Sequence, residues 1–337
     1  MWATAFGAAV LALSSIACES DSPPVSKTAS YRPSTYRTPS ATRTAVLAAH
    51  ARVRDAVASL DPGTATARGD HRFDAELRPP TRERVAESVE ILDRVLDDLD
   101  EVRYGPMDPQ VDADYAVVRA RAEMARLDLG TLKIVERNAS WSVGVALRSV
   151  VSLMESPDLD DVARQKALVA RLKAMPEFFE ESRRVIKFAR RVDTEIAIDA
   201  IDDLGNELGS PTVQSLCAAA ADGKGALDVA RAAATEHGKW LRQELAVTTQ
   251  GHHAIGPRAF ESRLRAETGL DLTWERAAEL GEAELEASRR TFDEAARSFR
   301  PEYNLEDAVH ALDDDRPASP AAIAALANAA IVEAEQF

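Results

Sequence analysis

The sequence is poor in cysteine, aromatic residues and recognisable catalytic motifs, and each shortage removes a class of answers. Two cysteines, Cys18 and Cys217, occur in 337 residues. Cys18 closes an apolar leader and Cys217 lies in the apolar helical run "SLCAAAA", so a disulfide between them is not expected and Cys217 reads as a buried, inert thiol. Aromatic residues make up 5% of the chain. Alanine, leucine, arginine, aspartate and glutamate dominate instead, a mixture that favours helix because these side chains lose little rotamer freedom there. The balance of 41 basic against 56 acidic residues leaves a net charge of −15, with no basic stripe, which argues against nucleic acid as a partner. No phosphate-binding loop, dinucleotide-type glycine fingerprint, Gly-x-Ser-x-Gly elbow or His-Glu-x-x-His helix occurs. No fixed repeat period supports a regular solenoid.

The N-terminal stretch "MWATAFGAAVLALSSIAC" suits the apolar core of an export signal and is short for a membrane span. With the small Ala17 before Cys18, it resembles a bacterial lipoprotein signal, in which the cysteine becomes the lipidated first residue. It departs from that pattern in lacking a Lys or Arg before the apolar run and in carrying Ser15 where leucine is usual. An ordinary cleaved signal and an uncleaved anchor are the alternatives. Residues 19–44, "ESDSPPVSKTASYRPSTYRTPSATRT", have no apolar period and cannot bury enough surface to offset ordering entropy. They read as a tether between membrane and folded body. Residues 1–18 as signal, 19–44 as tether and 45–337 as an α-helical domain form the expected organisation, at the cell envelope or secreted.

From Ala45 onward helical periods recur without strand alternation, so the expected fold class is all-α: one large irregular multi-helix domain. Val85, Val89, Leu92, Leu96 and Leu99 step by four, three, four and three, with Thr81 placed as N-cap. A second helix begins at Thr273, with Trp274, Ala277, Gly281, Leu285, Phe292 and Phe299 near one face. Ser210-Pro211 and Ser319-Pro320 each read as a cap followed by proline at the first helical position. Further helices are expected over 45–60, 112–136, 158–174, 176–190, 194–207, 223–247, 257–268 and 320–335. The last has an apolar face of Ile323, Leu326, Ala330, Ile331 and Ala334 with alanines on its flanks, and calls for cover on more than one side. Self-association or a partner chain through this helix is therefore expected.

The densest cluster of chemistry-bearing residues is "GDHRFD", residues 69–74. A metal site there needs further ligands converging from elsewhere. A structural corner needs less: Gly69 permits a tight turn, Asp70 caps backbone amides and Phe73 plugs the core. Asp70, His71 and Arg72 are thus candidates for a cleft or structural corner. Adjacent His252 and His253 point apart and make a poor ligand pair. His237 and His310 are single histidines on expected helices. No residue of this chain is nominated as catalytic, metal-binding or cofactor-binding.

"GDHRFDAEL", then "DYAVVRARAEMARLDL" with "VERNASW", then "HGKWLRQEL" and "FESRLRAETGLDLTWERAAELGEAEL", resemble, in that order, segments of the domain-of-unknown-function 885 family. The resemblance runs over residues 45–336, with Ala139 where the family usually has proline after Asn138. It implies a secreted or lipid-anchored bacterial protein whose architecture resembles the helical half of zinc metallopeptidases. It also implies a zinc site in a second half, around a His-Glu, a Pro-Gly-His and a later glutamate, so zinc is expected only when that half is present. The chain stops at "VEAEQF", before that half would begin, and "GHH" at 251–253 lacks the upstream His-Glu and the proline. The resemblance thus implies the N-terminal helical portion of a zinc-peptidase-like protein, inactive as this chain, with peptide as substrate of the complete protein. The alternative is a non-catalytic envelope binding lipoprotein.

Overall fold

Helices are the regular elements throughout the described residues, 38–249, 254–299, 305–314 and 317–335, of the computed structural model. No helix among the described residues is long and apolar enough to cross a membrane. The leader, Cys18, the tether up to residue 37 and the His252-His253 pair lie outside them. The chain divides into two compact units, Arg32–Trp274 forming the larger.

The larger unit opens with α1, Pro39–Ala58, which starts inside the stretch that composition assigns to the tether. The reason is local. Thr38 caps the helix by accepting from the Ala41 N–H at 3.2 Å, and Pro39 takes the first helical position. The hydroxyls of Thr42 and Thr44 fold back onto the carbonyls of Thr38 and Ser40, so the polar residues are satisfied within the helix. Then follow α2 (Pro62–Ala67), a 3₁₀ turn (His71–Phe73) and α3 (Arg82–Val102). The cap on α3 is Thr81, which accepts from the Arg84 N–H at 3.3 Å. Next, α4 (Pro109–Arg126) runs into a π turn, Leu127–Thr131, where the expected single helix over 112–136 breaks. Lys133, in the left-handed region at φ 50°, separates that turn from α5 (Ile134–Arg137).

The helix α6 (Ala139–Glu155) corresponds to no element expected from periodicity. Ala139, Ser142, Val143, Ala146, Val150 and Leu153 are among its buried residues, and burial on several sides leaves no polar stripe for a pattern to reveal. Asn138 caps it, accepting from the N–H groups of Ser140 and Trp141. Ala139 therefore occupies the first helical position, where the proline usual in the resembled family is also at ease.

One helix, α7 (Asp161–Val185), replaces the two expected over 158–174 and 176–190, the second starting at Pro176. Leu172, Met175, Phe178 and Phe179 flank the proline and are fully buried, so packing offsets the backbone hydrogen bond that proline cannot make. The unit continues with α8 (Arg191–Leu208), α9 (Pro211–Ala219) and α10 (Gly223–Trp240). A second π turn, Leu241–Leu245, and a short turn, Ala246–Thr248, extend α10, and α11 (Pro257–Thr268) follows. Two apolar clusters fill this unit. One joins Val46, Leu92, Leu99 and Val118; the other joins Leu153, Leu172, Phe179, Leu204 and Leu241. Trp141 packs against both. Cys217 is a buried free thiol whose pKa burial raises.

The described part of the second unit consists of α12 (Trp274–Phe299) from Glu275 onward, α13 (Leu305–Asp314) and α14 (Pro320–Glu335). Ser319 caps α14, accepting from the Ala322 N–H at 3.2 Å.

Candidate functional site

Residues 69–74 form a braced corner. Gly69 has φ 76°, a conformation that suits glycine. Asp70 Oδ1 accepts from the Arg72 N–H at 3.4 Å and from Arg72 Nε at 2.8 Å. Arg72 Nη2 reaches Asp70 Oδ2 at 2.7 Å and Asp55 Oδ1 at 2.6 Å. The bond from Arg72 holds the Asp70 carboxyl below its ordinary pKa. His71 Nδ1 lies 2.8 Å from Asp74 Oδ2. Phe73 does not plug the core: it stays half-buried, with the Arg72 guanidinium 5.1 Å from its ring centroid. Leu77 enters the core instead.

The residue that organises this corner comes from α7. Arg171 is fully buried and donates through all three nitrogens. Nε meets the Glu76 carbonyl at 3.2 Å, Nη1 the Ser149 carbonyl at 2.6 Å, and Nη2 the Thr66 hydroxyl at 2.8 Å and the Phe73 carbonyl at 3.2 Å. The Thr66 hydroxyl in turn donates to Asp74 Oδ1 at 2.6 Å. Burial lowers the Arg171 pKa to about 10, against the pull of Asp74, Asp61 and Glu76, so the guanidinium keeps its charge at neutral pH. Nearby, Asp61 caps α2 and accepts from Arg148 Nε and Nη2 at 3.1 and 2.8 Å. Every donor of the Arg171 fork faces a protein oxygen, the second on Nη1 being met by Ser152 Oγ, so Arg171 acts as a brace; beside it, His71 Nε2 and Glu76 Oε2 are buried without a hydrogen-bond partner among the described residues.

Nor do the described residues fit a zinc ion. Among them no three His, Cys, Asp or Glu side chains are grouped so as to hold a metal. His50 has burial and then Arg54 and Arg121 lowering its pKa, and a cationic neighbourhood repels a metal ion. His237 is buried, its ring 4.4 Å from that of Phe179 and 5.2 Å from that of Trp240. Neither of its nitrogens has a hydrogen-bond partner. His310 lies exposed on α13.

Two concave surfaces of the larger unit lie at its π turns, where the wider helical ring interrupts regular packing. At the second, a groove of about 600 Å³ is lined by Asp202, Arg231, Lys239 and Arg242 among others. Two of its cations are committed: Arg242 Nη2 reaches both Asp202 oxygens at 2.6 Å, and Arg231 closes α8 through the Leu208 carbonyl. At the first, a groove of about 650 Å³ runs between α4, the π turn and the start of α11. Arg263 Nη1 ties α11 to this turn through Asp128 at 3.2 Å. Leu96, Leu127, Ile255 and Pro257 supply apolar lining, and Arg126, Arg258 and Arg265 supply charge. None of these arginines stands out in the sequence, because they lie in ordinary amphipathic helices and meet only in space.

These features define an all-α, multi-helix protein, braced by a buried arginine and grooved at its π turns. The sequence profile of a family of bacterial proteins of unknown function, DUF885, matches residues 62–337, and the chain belongs to that family. A solved structure from Shewanella oneidensis, described as "a putative lipoprotein of unknown function", superposes with a TM-score of 0.56 at 16% identity. The match covers 82% of this chain and 52% of that one, so the chain spans about half the length of the solved protein. At that identity the likeness is one of fold. No match to a curated protein was found.

Proposed function

We propose that this chain is the helical, N-terminal portion of an exported, lipid-anchored, zinc-peptidase-like protein, and that a further portion supplies the metal site. The observation that carries this reading is the uncovered apolar side of α12 and α14. Leu280, Leu285 and Phe292 on α12, and Ile323, Leu326 and Ile331 on α14, are all exposed, and neither helix buries a residue. Single exposed apolar residues are ordinary; a helix that exposes a row of them calls for a partner. The occupant assigned to it is a second helical portion of the same protein. The Shewanella structure supports this choice, since it carries about as much chain outside the match as within it. Membrane attachment is assigned to Cys18 on the strength of the leader.

The test is to isolate the protein from the envelope of its own host and measure its mass, zinc content and peptide hydrolysis. The expected result is a species larger than the 36.5 kDa chain, or a stable complex of it, that holds zinc and cleaves peptides. A solitary monomer no larger than this 36.5 kDa chain, without zinc, would overturn the reading. That outcome would favour a non-catalytic envelope binding protein, a second reading supported by the arginine-lined groove, whose lining lies within residues 96–265.

A further inference from the structure

We propose that the groove at the first π turn binds a carboxylate carried on an apolar body. The chain as a whole has a net charge of −15, yet this groove gathers three guanidinium groups against one carboxylate, Glu123. Glu123 is itself engaged, accepting from Arg119 Nε at 2.9 Å. Arg126 Nε rests on Asp93 at 2.7 Å and Arg265 Nη2 rests on Asp271. Each therefore retains N–H groups for an incoming ligand, since a guanidinium has five. The Arg258 guanidinium makes no hydrogen bond or ion pair among the described residues. An unpaired fork beside two partly used ones is suited to a carboxylate, which it takes in bidentate geometry.

Two further features select the ligand. The start of α11 opens on the same groove, Gly256 offers no side-chain cap, and the Arg258 and Ala259 N–H groups precede the first bond within the helix. Backbone donors of this kind add to the arginines without defining the site. Leu96, Leu127, Ile255 and Pro257 supply apolar contact that a small hydrated anion would leave unused, and a volume of about 650 Å³ admits a ligand with an apolar body. A peptide C-terminus with apolar side chains and a free fatty acid share this chemistry. The assignment stands whether or not a catalytic portion completes the protein.

The experiment is calorimetric titration of the full chain at low salt with two matched pairs of probes. These are Leu-Leu-Leu and its C-terminal amide, and decanoate and decanol. At least one acid is expected to bind, with its neutral counterpart at least about tenfold weaker, and the pair that responds identifies the source. Arg258→Ala is expected to weaken the binding acid about tenfold while leaving the unfolding midpoint unchanged, because Arg258 is exposed and has no hydrogen bond or ion pair among the described residues. Arg258→Lys, which keeps charge but not the fork, is expected to fall between. Binding of neither acid, equal binding of an acid and its neutral counterpart, or unchanged affinity in Arg258→Ala would each overturn the proposal. Metal content and hydrolysis do not enter this readout, so its failure is distinguishable from failure of the zinc-peptidase reading.

Discussion

The guanidinium of Arg171 donates to the hydroxyl of Thr66 over 2.8 Å, joining positions 105 residues apart. Through that hydroxyl and the carbonyls of Phe73, Glu76 and Ser149, α7 holds the 69–74 corner against α2 and α6. Removing the arginine strands several acceptors in a site closed to water. Arg171→Ala is expected to lower the free energy of unfolding by about 3–5 kcal/mol, read by urea denaturation. Arg171→Lys keeps the charge and loses the fork, so it should rank between wild type and alanine. A loss under about 1 kcal/mol would show that the network contributes little.

Gly63 is the close-approach point between α2 and α6. A Cβ placed there would stand 2.7 Å from the Arg148 carbonyl carbon and 2.9 Å from the Ser149 nitrogen. Both are backbone atoms in a helix and cannot swing aside. Gly63→Ala is therefore expected to cost about 1–3 kcal/mol despite the better helix propensity of alanine. Thermal melts of the two proteins decide it, and an unchanged or raised midpoint would contradict the close packing.

His237 makes stability depend on pH. Burial, and then Arg183, lower its pKa from 6.5 to about 3, so the folded state keeps the ring neutral while the unfolded state takes up a proton below pH 6.5. In that window the unfolded chain binds more protons, so stability from this residue falls as the pH falls, levelling off near pH 3. At pH 5 the penalty is about 2 kcal/mol. His237→Phe preserves the stack with Phe179 and Trp240 and removes the proton. The difference in unfolding free energy between variant and wild type should move in favour of the variant between pH 7 and pH 4. A pH-independent difference would show that His237 does not carry the effect.

Cys18 carries the anchoring assignment. In a bacterium that processes lipoproteins, the protein should partition with membranes, and Cys18→Ser should release it or leave the leader uncleaved. Mass spectrometry of soluble protein with an intact, unmodified N-terminus would refute the assignment.

The exposed apolar residues of α14 should make the isolated chain associate. Leu326 and Ile323 are 62% and 56% exposed. Light scattering after size exclusion should show concentration-dependent species larger than a monomer, reduced in the double variant Ile323→Glu, Leu326→Glu. A monodisperse wild-type monomer at high concentration would remove the observation on which the missing-partner reading rests.

What could be read from the sequence was what a few neighbouring residues settle among themselves. The all-α class follows from composition. The caps at Thr81, Ser210 and Ser319 follow from hydroxyls that accept from amides three residues on, at 3.2 to 3.3 Å. The order of family segments was legible for the same reason, since it is a property of the chain alone. Tertiary structure decided the rest. It carried α7 through Pro176 and folded α6 where no stripe is visible, because burial can override propensity and erase amphipathic contrast. It chose Arg171, nearly a hundred residues downstream, as the partner of the "GDHRFD" corner, and it brought Arg126, Arg258 and Arg265 to one groove. A cap is chosen within one turn of backbone, whereas a buried donor or an arginine cluster depends on which distant surfaces exclude water together, and no short stretch of sequence contains that information.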